Sequence, residues 1–268
     1  MKQYDIGAIK TIALLGHGSS GKTTLAESML YYAGMTDRIG KTADGTSVMD
    51  FDPEEKKRGV SVSSSVFQFE YNDKKINLID APGLFDFAGG VTEALTAADS
   101  ALIVLSGKSG LNVGAQLNYT AAKKAGVPVS FFIGKLDSPR AYFYRVISTL
   151  TGHYGAVICP VVIPFVEGEQ VVSFVDLIEN RAYKYDGIKR SDAEMPESDD
   201  IKNMRDVMLE AVASVDEALM EKYFAGEEFD AAEIKSALAA GMQSGDICPV
   251  FCGINQTGAG VSLALDIL

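Results

Sequence analysis

Residues 9–30 read "IKTIALLGHGSSGKTTLAESML". The first seven, Ile9 to Leu15, form a short apolar run suited to a buried parallel strand. "KTTLAESMLYYAG" then repeats Leu25, Met29 and Leu30 at helical spacing, and Gly34 supplies a stop. Between strand and helix lies "GHGSSGKT" (16–23), which fits the phosphate-loop pattern in its required context. Gly16 and Gly21 let the backbone wrap closely, so N–H groups along Gly16, His17, Gly18, Ser19, Ser20 and Gly21 can point at phosphate oxygens. Lys22 would place its ammonium between the β- and γ-phosphates. Thr23, followed by Thr24 in the same cradle, would offer a hydroxyl to Mg²⁺.

The pattern extends outward from this unit. "VFQFEY" (66–71) alternates as a strand should, "KKINLID" (74–80) is a second strand, and "YND" between them predicts a hairpin turn. "SALIVLS" (100–106) and "VPVSFFIG" (127–134) are buried strands, with a helix ending at Gly126 between them and another over 140–155. The order β-α-β-β-α-β-α-β-α predicts an α/β fold, a doubly wound and mostly parallel sheet with helices on both faces. Residues 34–60 lack clear periodicity, and so long a loop is usually functional or mobile. From residue 158 the texture becomes antiparallel hairpin material. A single long amphipathic helix follows, with Ile201, Met204, Met208, Ala211, Val215 and Leu219 on one face. Asp230 and Glu233 then give a capping-box start to a shorter helix. "ICPVFCG" (247–253) returns to the buried-strand pattern. The expected division is 1–157 with 247–268 as one domain and 158–246 as an inserted α+β subdomain. "VSLALDIL" ends the chain inside a helix, as a fragment of a longer protein would, with its later domains absent.

The 268 residues are 47% hydrophobic and 22% charged, enough for a substantial core. No apolar run is long enough to span a membrane, and the amino-terminal stretch lacks a secretory pattern. Cys159, Cys248 and Cys252 form no disulfide framework, and His17 and His153 with no CxxC pair make zinc a poor expectation. A cytoplasmic protein is expected. The net charge of −12 argues against independent DNA binding through counterion release.

Two further stretches carry chemistry. In "DAPGLFDF" (80–87), Asp80 ends a strand beside the first one, where a carboxylate can reach Mg²⁺ directly or through water. Gly83 offers a backbone N–H to the γ-phosphate. In "GKLD" (134–137), the acceptor-only carboxylate of Asp137 suits the two adjacent donors of guanine and would repel the ring acceptor of adenine. The Lys135 stem can cover the base. Cys248 and Cys252 share a strand face and are expected to be core thiols.

Taken together, "GHGSSGKTT", "RGVSV", "DAPGLFDF", "GKLD" and "CGIN" resemble, in order, the five guanine-nucleotide motifs of the translational GTPases. The likeness is strongest to elongation factor G and its divergent paralogues, and it extends over essentially the whole chain, including "SFVDLI" and "VDEALMEKYFAGEE" in the extra subdomain. The resemblance implies a phosphate-loop GTPase fold, GTP/GDP and Mg²⁺ as cofactors, the ribosome as partner and a monomeric protein. It implies that Arg58 and Gly59 close a first switch, that Ser61 takes the position of a Mg²⁺-coordinating threonine, and that Gly253 and Ile254 meet the guanine carbonyl. The implied metal set is Thr23, Ser61 and Asp80, and the implied catalytic set is Lys22, Ser61 and Gly83. The two switch segments would span 34–62 and 80–96 and respond to the γ-phosphate.

Several positions depart from the family's pattern. Ser19 stands in place of an aspartate, and Ile254 and Asn255 in place of a Ser-Ala pair. Gly134 replaces an asparagine that braces the base and the phosphate loop, so an asparagine restored there is expected to tighten binding. Leu84 replaces the histidine that positions the attacking water. Slow GTP hydrolysis, stimulated by the ribosome, is therefore the expectation. A GTP-sensing module without hydrolysis is the alternative, and a phosphate-loop kinase a more distant one.

Overall fold

The computed structural model describes residues 3–268. Strand β1 (Ile9–Leu15) leads through the glycine-rich turn into α1 (Lys22–Tyr32), which buries Leu25, Met29 and Leu30 as their spacing predicts. The 34–60 segment contains the six-residue helix α2 (Pro53–Arg58). Its start was readable: Asp52 and Glu55 form a capping box around Pro53, and Gly59 ends the helix with φ 66°. Strands β2 (Ser65–Tyr71) and β3 (Lys74–Asp80) form the expected antiparallel hairpin. Asn72 and Asp73, with φ of 46° and 59°, supply the two left-handed residues that match a tight turn to the strand twist. Then come α3 (Ala88–Ala97), β4 (Ser100–Ser106), α4 (Val113–Ala125), β5 (Val129–Gly134) and α5 (Phe143–Tyr154).

The second half differs from expectation in two places. Strand β6 (Ile158–Pro160), placed by sequence at the start of the insertion, is the edge of the main sheet. It and β7 (Val162–Glu167) lie in one apolar run, so hydrophobicity does not reveal that the chain changes sheets at Val161. Strands β8 (Gln170–Asp176), β9 (Arg181–Asp186) and β10 (Lys189–Ala193) follow. The expected single long helix is two, α6 (Asp199–Ala213) and α7 (Glu217–Phe224). Asp216 breaks it: its carboxylate accepts from the Ala218 and Leu219 N–H groups and so starts a new helix. Helix α8 (Ala231–Ser244) has the predicted Asp230–Glu233 capping box, and β11 (Cys248–Cys252) and α9 (Val261–Ile267) complete the chain.

The fold is α/β. A seven-stranded sheet runs β2-β3-β1-β4-β5-β11-β6, parallel except for β2, and a separate antiparallel sheet runs β10-β9-β8-β7. Phe131, Phe132 and Phe251 are fully buried in the core of the main sheet. The three cysteines are buried and unpaired, and burial pushes their thiols up. Hydrogen bonds anchor the smaller sheet: Tyr32 to the Ile188 carbonyl at 2.7 Å, Tyr185 with Ser262 at 3.0 Å, and Arg190 to Asp266 at 2.7 Å. Among the described residues, no helix is long and apolar enough to cross a membrane.

Parallel pairing sets where the site lies. Leu14 of β1 is in register with Asp80 of β3, Ser106 of β4 with Gly134 of β5, and Ile133 of β5 with Cys252 of β11. The phosphate loop and the segments that follow β3, β5 and β11 therefore emerge at one carboxyl edge of the sheet, where ligands of open α/β sheets bind.

Candidate nucleotide site

Residues from four segments line a cavity of about 200 Å³ at that edge. Gly18, Ser19, Gly21, Lys22, Thr23 and Thr24 come from the phosphate loop and α1, Ser61 from the segment between α2 and β2, Gly83 from the segment after β3, and Lys135 from the loop after β5. Gly16 has φ 144°, and a Cβ there would run into the Val104 carbonyl of β4. Gly21 has φ 104° at the start of α1. These two positions demand glycine for the reasons the motif implies.

Lys22 is buried, and its ammonium donates to the Gly16 carbonyl at 3.0 Å and the His17 carbonyl at 3.2 Å. Burial lowers its pKa, while the carboxylates of Asp80 and Asp50 oppose that shift. A Cβ on Gly83 would fall on the Lys22 amine and the Gly16 and Gly18 backbone. Gly83 is thus the close approach that lets the segment after β3 meet the phosphate loop. The His17 ring lies 5.6 Å from that of Phe85 and packs against Gly114. Ser20 is buried, and its hydroxyl has no partner.

The three expected metal ligands are brought together. Thr23 Oγ1 donates to Asp80 Oδ2 at 2.6 Å and lies 3.3 Å from Ser61 Oγ. Burial pushes the Asp80 carboxyl up to about 6, against the pull of Lys22 and the Thr23 hydrogen bond, and Asp80 Oδ1 is buried without a partner. The sequence reading missed Asp50. Its carboxylate accepts from Ser61 Oγ at 2.7 Å and lines the same cavity, and burial raises its pKa. Hydroxyls and carboxylates are hard oxygen donors, suited to Mg²⁺. Among the described residues, no three His, Cys, Asp or Glu side chains cluster as a metal cage.

The backbone around Ser61 is fixed by a second missed residue. Glu55 is buried in α2, and its Oε1 accepts from the Val62 and Ser63 N–H groups at 2.9 and 3.1 Å. Glu27, buried in α1, accepts from Ser47 Oγ and from the Val48 and Met49 N–H groups at 2.6–2.9 Å. The available signal for Glu27 was a carboxylate on a helix face shared with buried Leu30.

The base end is arranged differently. Lys135 has φ 57° and donates from Nζ to the Ser19 carbonyl at 2.8 Å. Asp137 is exposed beyond it. The Gly253 N–H donates to the Ile133 carbonyl at 3.2 Å and the Ile254 N–H to the Ala259 carbonyl at 2.8 Å, so both donors are already committed within the fold. Leu84 lines the cavity, with Cδ2 3.0 Å from where a Cβ on Gly18 would sit. It presents only apolar atoms of its side chain to that cavity.

Comparison with known proteins agrees with this geometry. The family model of the elongation factor Tu GTP binding domain matches residues 8–268. An elongation factor G-like protein of Thermotoga maritima is 35% identical over 260 residues, covering 97% of this chain and 37% of its own length. A crystal structure from Thermus thermophilus superposes with a TM-score of 0.90 at 34% identity, over 97% of this chain and 39% of that one. The chain thus spans less than half the length of either relative. With a phosphate loop, a Thr23–Asp80 pair and a base loop at one sheet edge, it belongs to the family of elongation factor Tu GTP-binding domains.

Proposed function

We propose that this chain is the GTP-binding and GTP-hydrolysing domain of an elongation factor G-like translational GTPase that works as a cytoplasmic monomer on the ribosome. The observation that carries the proposal is the convergence of Lys22, Thr23, Ser61 and Gly83 on one cavity, with buried Asp80 hydrogen-bonded behind Thr23. The T. maritima relative's description as elongation factor G-like supports the translational part. The proposed domain division keeps an insertion ending at residue 246, with its start moved from residue 158 to just past β6.

In this proposal the phosphate-loop N–H groups and the Lys22 ammonium hold the β- and γ-phosphates. Thr23 and Ser61 hydroxyls, with Asp80 and Asp50 behind them, would hold Mg²⁺, which supplies charge neutralisation on those phosphates. Gly83 places its N–H at the γ-phosphate, and Ser61 couples the first switch to the same end. Asp137 selects guanine by accepting its two donors. Catalysis in this class is positioning and electrostatics, and Leu84 contributes no group that orients water. Basal turnover is therefore slow.

A second reading, a GTP-sensing module without hydrolysis, is favoured by Leu84 itself. Single-turnover hydrolysis by the full-length protein, with and without ribosomes, separates the two. Stimulated turnover supports the GTPase, whereas GTP binding with no turnover in either condition supports the sensor. Equal affinity for ATP and GTP by calorimetry sinks both.

A further inference from the structure

The loop after β5 opens with "GKLD", and Gly134, the last residue of β5, offers no side chain to hold that loop against the phosphate loop. Asn255, on the loop after β11, is 1% exposed and sits between the two. Its Oδ1 accepts from the Lys135 N–H at 3.0 Å, and its Nδ2 donates to the Gly21 carbonyl at 3.0 Å. Its own carbonyl accepts from Ser28 of α1, which fixes the backbone that carries the amide. One carboxamide thus ties the residue that opens the base loop to the residue that starts α1. A Cβ on Gly134 would fall inside this carboxamide, nearest to Oδ1. A side chain can therefore enter this space from position 134 or from position 255, but not from both.

We propose that Asn255 is the positioning residue of the base site. It holds the Lys135–Asp137 loop in register with the phosphate loop, so that base and phosphates are gripped as one unit, and Gly134 is the space it requires. This rests on the guanine-nucleotide reading above. It also reverses the expectation from sequence that Gly134→Asn tightens binding, because the amide is already present, supplied from across the site. Asn255 reaches neither base nor phosphate through its side-chain bonds; it acts through Lys135 and Gly21.

The test is calorimetry of GDP, IDP and ADP binding to the wild type, Asn255→Ala, Gly134→Asn and the double variant Gly134→Asn/Asn255→Ala, with thermal unfolding of each without nucleotide. IDP lacks the exocyclic amine that Asp137 would accept, so the GDP-to-IDP ratio reports the position of the base loop. Losing two buried hydrogen bonds should weaken GDP about tenfold in Asn255→Ala and lower the GDP-to-IDP ratio. Gly134→Asn should weaken GDP by a similar factor through overpacking. The double variant should bind GDP more tightly than either single one, because the amide then enters from the other side. If Asn255→Ala does not fold, Asn255→Asp keeps the shape and the acceptor for Lys135 but sets a charged oxygen against the Gly21 carbonyl, so at least the same loss is expected. A wild type that does not prefer GDP over ADP overturns the guanine reading itself. A wild type that does prefer GDP, with Asn255→Ala unchanged in affinity and ratio, overturns only the role of Asn255. So does tighter GDP binding by Gly134→Asn alone, or a double variant no better than the singles.

Discussion

The phosphate half and the base half of the proposed nucleotide site are built by opposite means. The phosphate half is local: Gly16, Gly21 and Lys22 lie within seven consecutive residues, and the backbone does most of the shaping. The base half is assembled from afar. Lys135 is held by Asn255, 120 residues on, and Asn255 is held to Gly21, 234 residues back. A motif constrained by its own backbone has little room to vary. One held by side chains from elsewhere can exchange the position that supplies a group while keeping the group. The lesson is that a missing motif residue is a statement about a position, and the chemistry must be sought in space.

If the phosphate half carries most of the affinity, damage there should exceed damage at the base end. Lys22→Ala removes a buried cation and its charge-assisted bonds to phosphate. It should weaken GTP roughly 10²–10⁴-fold, since such bonds contribute roughly 1.5–3 kcal/mol each. Affinity within threefold of wild type by calorimetry would break the comparison. Leu84→His tests the same half for chemistry. It should leave GTP affinity nearly unchanged and raise ribosome-stimulated turnover by roughly 10²–10⁴, the range for a positioned acid–base group. Fast stimulated turnover in the wild type would show instead that another group orients water.

At the base end, Asp137→Asn should weaken GDP by about tenfold and leave ADP unaffected, because one charge-assisted acceptor is lost. A loss as large as that of Lys22→Ala would erase the difference between the halves. The last effect concerns stability. Asp80 is fully buried and its pKa is raised by burial to about 6 from an ordinary 3.8, so its charged form destabilises the fold above that pH. Asp80→Asn should therefore stabilise the nucleotide-free protein at pH 7.5 by about 1–3 kcal/mol, the attraction to Lys22 being already contained in that net shift. The advantage should vanish as pH falls towards 4. Mg²⁺-dependent GTP binding should drop in the same variant. Thermal unfolding at the two pH values checks the first part, and a lower midpoint at pH 7.5 would contradict it.

The sheet and the phosphate half were legible because their signals are contiguous. An apolar run, a glycine turn and a helical repeat fix β1 and α1, and Asp80 follows from where β3 must end. Other features were obscured by competing patterns. Val215 and Leu219 continue the spacing of Ile201 and Met208, which masked the new helix that Asp216 caps. The run through Ile158 and Val162 hid the change of sheet. Asp50 and Glu55 lay in a segment without apolar period, where only the Asp52–Pro53–Glu55 spacing hinted at order. The part played by Asn255 could not be read at all, since the spacing of "CGIN" says nothing about Gly21 or Lys135.

Glu27 has a consequence for motion. Three donors from residues 47–49 converge on its Oε1, midway along the segment expected to respond to the γ-phosphate. A chain pinned at its middle is two short tethers instead of one long one, and each has less freedom to lose on closing. The half after the pin carries Asp50, α2 and Ser61 and would swing, if the segment responds as expected, from a pivot on the helix that begins at Lys22. Amide exchange should accordingly be slow at Val48 and Met49 even without nucleotide, with faster exchange on either side. Uniformly fast exchange across 34–62 would show that the pin does not hold. If it holds, α1 is both the mount for the phosphates and the axle of the arm that closes over them.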